Sequence, residues 1–233
     1  MTKLFGSFLR ILFDLIGNYG WTIIVFTIIV RIVLFPLSIQ QRKSMEVQKK
    51  LNPQVQELQK KYAKDPQTLN AKTMELYKEH KYNPLSGCLP MLVQIPVIWS
   101  LFSLFRNAHE YIPADALHQA FLWLPNLIAP DTLNNILPGV EMFSKLPGVL
   151  PIIAAFFTYL TSKRAQAQTA AATAASGQKG PNMSAMTIMF PIMILVFGAS
   201  YSAGLILYWA VSNIIQFLQD LIIAQMVSKE NVS

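Results

Sequence analysis

Asn18-Tyr-Gly-Trp21-Thr-Ile-Ile-Val-Phe-Thr27-Ile-Ile-Val-Arg31-Ile-Val-Leu-Phe-Pro36-Leu37 is an apolar run with one arginine deep inside it. From Trp21 to Gln40 it is long enough, at about 1.5 Å per helical residue, to cross a hydrocarbon core of about 30 Å. Arg31 then sits roughly 15 Å from the Trp21 end, near the midplane. In a terminal turn an arginine would reach the headgroups with its long side chain. At mid-depth a charge costs roughly 2.5–3.5 kcal/mol on insertion scales, so it should face protein or trapped water, where such charges are as a rule functional.

Composition agrees with a membrane setting. The 233 residues are 53% hydrophobic and 13% charged, against about 25% charged in ordinary soluble domains. The apolar residues form separated runs without a ten-residue alternation, which favours a helical bundle over an outer-membrane barrel. A net charge of +7 could suggest nucleic acid, but ten of the 19 Lys and Arg residues lie between Gln40 and Cys88. That clustering marks a cytoplasmic loop, and no direct nucleic-acid partner is expected. The lone Cys88 excludes an internal disulfide and a Cys-rich metal cluster. His109 and His118 have no convincing ligand spacing, so neither metal nor cofactor is expected. GxxxxGK[ST], GxGxxG, HExxH and GxSxG are all absent, which argues against an enzyme or a nucleotide-driven pump.

The expected fold is an all-α integral membrane protein with five transmembrane helices, N-terminus outside and C-terminus inside. Residues 1–17 place Leu4, Phe5, Phe8, Leu9, Leu12, Leu15 and Ile16 on one helical face and Lys3, Ser7, Arg10 and Asp14 on the other, reading as an interfacial amphipathic helix without a cleavage site. The first span covers 18–39. Residues 40–83 form a basic cytoplasmic hairpin that breaks at Lys64-Asp65-Pro66. Val47, Leu51, Val55, Leu58 and Tyr62 stripe its first arm, and Leu69, Met74, Leu76 and Tyr77 its second. Pro53 should kink or fray the first arm.

The second span, 88–106, carries Pro90 and Pro96 and a candidate interior polar residue, Gln94. Residues 107–146 set Glu110, Asp115, Asp131 and Glu141 against Lys145, as expected of an external loop, with a short interfacial helix around Phe121-Leu-Trp-Leu124. The third span, 147–164, has an apolar part of only about 14 residues, about 21 Å, which implies a locally thinned bilayer. A low-complexity linker, 165–182, partly helical, leads to the fourth span, 183–198, with a methionine-lined side. A Gly/Ser turn leads to the fifth, 203–227, and a short tail, 228–233. On the fifth span Trp209, Asn213, Gln216 and Asp220 share one face, which should turn to the bundle interior. Lys3 and Arg10 on the outer side are exceptions to the charge rule.

The motifs carry a family resemblance. Asn18-Tyr-Gly-Trp21 with Arg31 and Leu-Phe-Pro36, Leu51-Asn-Pro53, Tyr82-Asn-Pro84-Leu-x-Gly-Cys88-Leu-Pro90-x-Leu-x-Gln94-Ile-Pro96, Phe121-Leu-Trp-Leu124 and Ser202-Ala-Gly204-Leu-x-Leu-Tyr-Trp209-x-x-x-Asn213 together resemble the YidC membrane protein insertases. These are relatives of the mitochondrial oxidase-assembly and chloroplast Albino insertases. The resemblance, in order from about residue 18 to 227, implies a hydrophilic groove open to cytoplasm and lipid and closed outside, with the arginine matching Arg31 in it. The groove set is then Arg31, Gln94, Trp209, Asn213, Gln216 and Thr27.

Nascent membrane proteins in a bacterial plasma membrane would be the substrates, inserted alone or with the Sec translocon, and the hairpin would be mobile and needed for activity. The large periplasmic domain of some members is missing. Only Lys229 follows the last span where some relatives carry a long basic tail, so ribosome contact would fall to the hairpin. The competing reading is a small anion transporter or channel, in which Arg31 would bind the anion. The absence of an inverted repeat and the size of the hairpin disfavour it.

Overall fold

Asn18 starts the central helix. Its side-chain oxygen accepts the Trp21 N–H at 3.2 Å, and the Thr22 hydroxyl donates to the Asn18 carbonyl at 2.7 Å. The computed structural model describes residues 2–83, 89–176 and 183–230; the side chains of 89–94, 98, 165–176, 183–186 and 227–230 fall outside the description. Eight α-helices are described: α1 Thr2–Ile16, α2 Tyr19–Lys61, α3 Pro66–Glu79, α4 Leu89–Arg106, α5 Ala114–Leu117, α6 Val149–Ser176, α7 Met183–Gly198 and α8 Ala203–Glu230. Among the described residues there is no β-strand, only two isolated bridges, Phe121 with Leu124 and Thr132 with Pro147.

The 43 residues of α2 run unbroken from the apolar stretch into the hairpin. Composition changes near residue 40, but no glycine lies between Gly20 and Tyr62, and the helix continues through Pro36 and Pro53. Pro53 therefore neither ends nor frays the first arm. The hairpin closes where Asp65 caps α3, its carboxylate accepting the Thr68 N–H at 3.1 Å, with Pro66 at the first helical position. Leu51, Val55, Leu76 and Tyr82 form its small core, while Met74, expected in the stripe, is exposed.

A loop layer ties one end of the bundle together. Asp131 is fully buried; one carboxylate oxygen accepts the Leu150 N–H at 2.7 Å, capping α6, and the other accepts from Asn135 at 3.3 Å. The Leu127 and Ala129 carbonyls accept the Gly204 and Ala203 N–H groups, serving orphan donors at the start of α8. Trp21 meets Phe121 edge to face at the start of α2. Thus α2, α6 and α8 all begin at this layer. α7 ends there, with Gly198 against Pro151, and α4 runs to it through the Ala108–Ile112 segment that meets α1.

One expectation is corrected. Phe121–Leu124 is a tight turn and not a helix: the two residues exchange both backbone hydrogen bonds at 2.9 Å, and Leu122 takes a left-handed φ of 55°. Burying Phe121 and Leu124 holds Leu122 in that strained conformation while its side chain faces outward. The helix that begins at Val149 continues to Ser176, into the segment read as a partly helical linker. In α1, Leu9, Leu12 and Phe13 are buried and Phe5 and Phe8 pack against Phe26, while Leu4 and Leu15 of the apolar face are exposed.

By length and composition α2 and α8 can each cross a membrane, and Ile95–Arg106 and Thr187–Gly198 are shorter apolar helices. Ile32, Val33, Trp99, Phe156, Ile192 and Val196 are all exposed, a surface that a hydrocarbon solvent would cover.

Candidate functional site

Arg31 projects from α2 towards α8, where its fork meets two neutral side chains. Ser212 Oγ accepts from Nε at 2.8 Å and from Nη2 at 2.6 Å, and Gln216 Oε1 accepts from Nη1 at 2.9 Å. The Gln219 amide donates to the Arg31 backbone carbonyl at 3.2 Å, bracing the two helices. Among the described residues no carboxylate forms an ion pair with Arg31. Hydrogen bonds to neutral oxygens hold the guanidinium in place without cancelling its charge, so its field reaches the space in front of it.

That space is a cavity of about 330 Å³. Ser38 and Gln41 of α2, Thr158 and Thr161 of α6, and Asn213 of α8 give it polar walls, while Leu101, Phe102 and Phe190 add apolar ones. It has room for several waters, each of which occupies about 30 Å³ in the liquid. From Arg31 to Gln41 is ten residues of α2, so the polar lining extends roughly 15 Å towards the hairpin end.

The candidate residues separate into three groups. Arg31, Trp209, Asn213 and Gln216 all line the cavity. Asn213 donates its amide back to the Trp209 carbonyl at 2.9 Å, leaving its own oxygen as an acceptor for the cavity. Thr27 does not line it: its side chain is fully buried, and its hydroxyl donates to the Ile23 carbonyl at 2.6 Å. Thr27 lies one turn before Arg31 on the same side of α2, but at its level the neighbouring elements pack over it. Gln94 lies in α4 with its side chain outside the described residues.

Ser212, the hydroxyl that receives two of Arg31's donors, was not among the expected residues. The stripe Tyr208, Ser212, Gln216 and Gln219, at i, i+4, i+8 and i+11, runs beside Trp209, Asn213, Gln216 and Asp220 and meets it at Gln216. Counting hydroxyls with amides on that face is the signal that finds it.

The chain as a whole is similar to known proteins. The family model described as 60Kd inner membrane protein matches residues 11–230. A membrane protein insertase YidC from Fusobacterium nucleatum subsp. nucleatum is 40% identical over 205 residues, 88% of this chain and 85% of the relative. One from Caldanaerobacter subterraneus subsp. tengcongensis is 37% identical over 217 residues, 93% of this chain and 90% of that one. A solved structure described as an active YidC insertase with the first transmembrane domain resolved superposes with a TM-score of 0.58 at 30% identity, covering 92% of this chain and 44% of that one. The chain belongs to the YidC family of membrane protein insertases.

Proposed function

We propose that the protein inserts nascent membrane proteins into the bacterial plasma membrane and helps them fold, using the cavity at Arg31 as a hydrated, positively charged way station. The observation that carries this reading is that Arg31 is held by Ser212 and Gln216 and by no carboxylate among the described residues. A structural arginine would be neutralised by a partner; this one keeps its charge for a visitor.

The mechanism follows from the cost of moving polar groups through hydrocarbon, where they lose water without gaining partners. A wet cavity reaching mid-membrane shortens the dry part of the path. The external segment of a substrate leaves the cytoplasm past the hairpin, pauses beside Arg31, Trp209, Asn213 and Gln216, and crosses as its apolar helix slides into lipid between the exposed faces. Burial of that helix supplies about 25 cal/mol per Å² of apolar surface. An inside-negative potential pushes anionic segments outward.

The shared starting layer of α2, α6 and α8 supports a bundle of five spans, α2, α4, α6, α7 and α8, with the loop layer outside and both hairpin and C-terminus inside. In it α1 straps the outer interface, with Arg10 paired to Asp14 at 2.9 Å and donating to the Tyr111 carbonyl at 3.2 Å. The reaction runs without Sec or beside the Sec translocon, and the basic hairpin is the surface offered to ribosomes. A photoreactive residue at position 209 tests the site: it should crosslink to a stalled nascent membrane protein. Failure to crosslink, while an outward-facing residue at position 192 succeeds, would move the substrate path elsewhere.

A further inference from the structure

Asp220 is the single charge between Met183 and Val227. It lies one turn beyond Gln216, the acceptor for Arg31, about 6 Å further towards the hairpin end of α8. Its carboxylate is partly buried and lies within the fields of three arginines from two other helices: Arg42 and Arg31 on α2, and Arg164 on α6. None of them pairs with it directly among the described residues. Arg42 reaches Glu46 at 3.6 Å, the Arg164 guanidinium stacks on the Phe217 ring at 4.4 Å, and Arg31 is taken by Ser212 and Gln216. Nε of Arg42 is buried without a hydrogen-bond partner.

These groups lie at the depth where the cavity's lining ends towards the hairpin, beyond the lining residues themselves. Arg42 follows the lining residue Gln41, and Arg164 comes two residues after the lining residue Ser162. A segment approaching Arg31 from the hairpin end therefore passes the level of two cations and one carboxylate before it reaches the third cation. A carboxylate surrounded by cations and bonded to none weakens their pull on any other anion without locking them away. An ion pair that merely clamped α6 to α8 would be expected to close its contacts.

We infer that Asp220 is a specificity-determining residue of insertion: a built-in carboxylate that competes with acidic residues of the passing segment for Arg42, Arg164 and Arg31. It thereby sets how much negative charge a segment needs to be drawn in, and how readily it is released afterwards. The inference rests on the insertase reading and goes beyond it, since that reading needs only Arg31.

The test uses the full chain in phosphatidylethanolamine/phosphatidylglycerol vesicles and three single-span substrates whose external segments differ only in charge: acidic, neutral and basic. With Asp220→Asn, crosslinking of the acidic segment at position 209 should rise about three- to tenfold, the gain from removing one competing charge in a partly screened site. Insertion of the basic segment should fall, and the neutral one should be unchanged. Asp220→Glu should behave as the unaltered protein. Arg164→Gln, on another helix, should shift the preference the opposite way, and it carries the test alone if Asp220→Asn does not fold. An equal change for all three substrates would make Asp220 a structural residue, and no change in charge preference in either variant would overturn the inference. If the unaltered protein inserts none of the three, it is the insertase reading that fails, and the two failures are separate.

Discussion

Ser212 accepts two N–H groups of Arg31, at 2.8 and 2.6 Å, and is buried in doing so. A hydroxyl that takes two bonds from one guanidinium fixes the plane of the fork, leaving Gln216 to receive the remaining edge. Hydrogen bonds to charged groups contribute about 1.5–3 kcal/mol. Ser212→Ala should therefore destabilise the protein by at least about 1.5 kcal/mol in denaturation from detergent. Unchanged stability would mean that Arg31 has other support.

Arg31→Lys keeps the cation but not the planar fork, so Ser212 and Gln216 cannot both be satisfied. Its insertion of an acidic segment should fall between that of the unaltered protein and that of Arg31→Ala. Activity equal to Arg31→Ala would show that geometry, and not charge, is what the site needs.

Asp131→Ala removes the cap of α6 and leaves the buried Leu150 N–H without a partner, while Asn135 keeps only its bond to the Pro130 carbonyl at 3.4 Å. Loss of a cap costs roughly 1 kcal/mol, and a buried orphan donor adds about 1–3. The amides at the start of α6 should exchange with deuterium faster while those of α3 do not. Gly148→Ala should act similarly, because its new Cβ would run into the Asp131 carboxylate.

Hydrogen bonds from the Thr68 hydroxyl and N–H hold the Asp65 carboxyl below the usual carboxylate range. A depressed value means that the cap contributes fully above that range and is lost as pH falls through the folded-state value. Protection of the first α3 amides should therefore drop on acidification. Asp65→Asn, which can cap in either condition, should flatten that dependence, and an unchanged pH profile in this variant would assign the effect to another group.

The sequence made some of this legible and concealed the rest for physical reasons. Arg31 stood out because hydrocarbon makes a lone charge conspicuous, and Asn213 and Gln216 because helical spacing brought them onto one face. The hairpin was readable because Pro66 and Asp65 encode a helix start directly. The continuity of α2 was not, since a change from apolar to charged residues alters the solvent of a helix without breaking its backbone. Phe121–Leu124 was misread because its turn depends on burial in the tertiary structure, which holds Leu122 at a φ its side chain disfavours. Thr27 looked available from sequence, but a threonine in a helix can satisfy its hydroxyl on its own preceding turn.

In this mechanism the positive charge of Arg31 acts on the substrate. Reconstituted vesicles carrying the unaltered protein or Arg31→Ala, each given a substrate with an acidic external segment and one with a neutral segment, test it most directly. Insertion of the acidic segment should fall much further than that of the neutral one. Equal loss for both segments, or none for either, would contradict it.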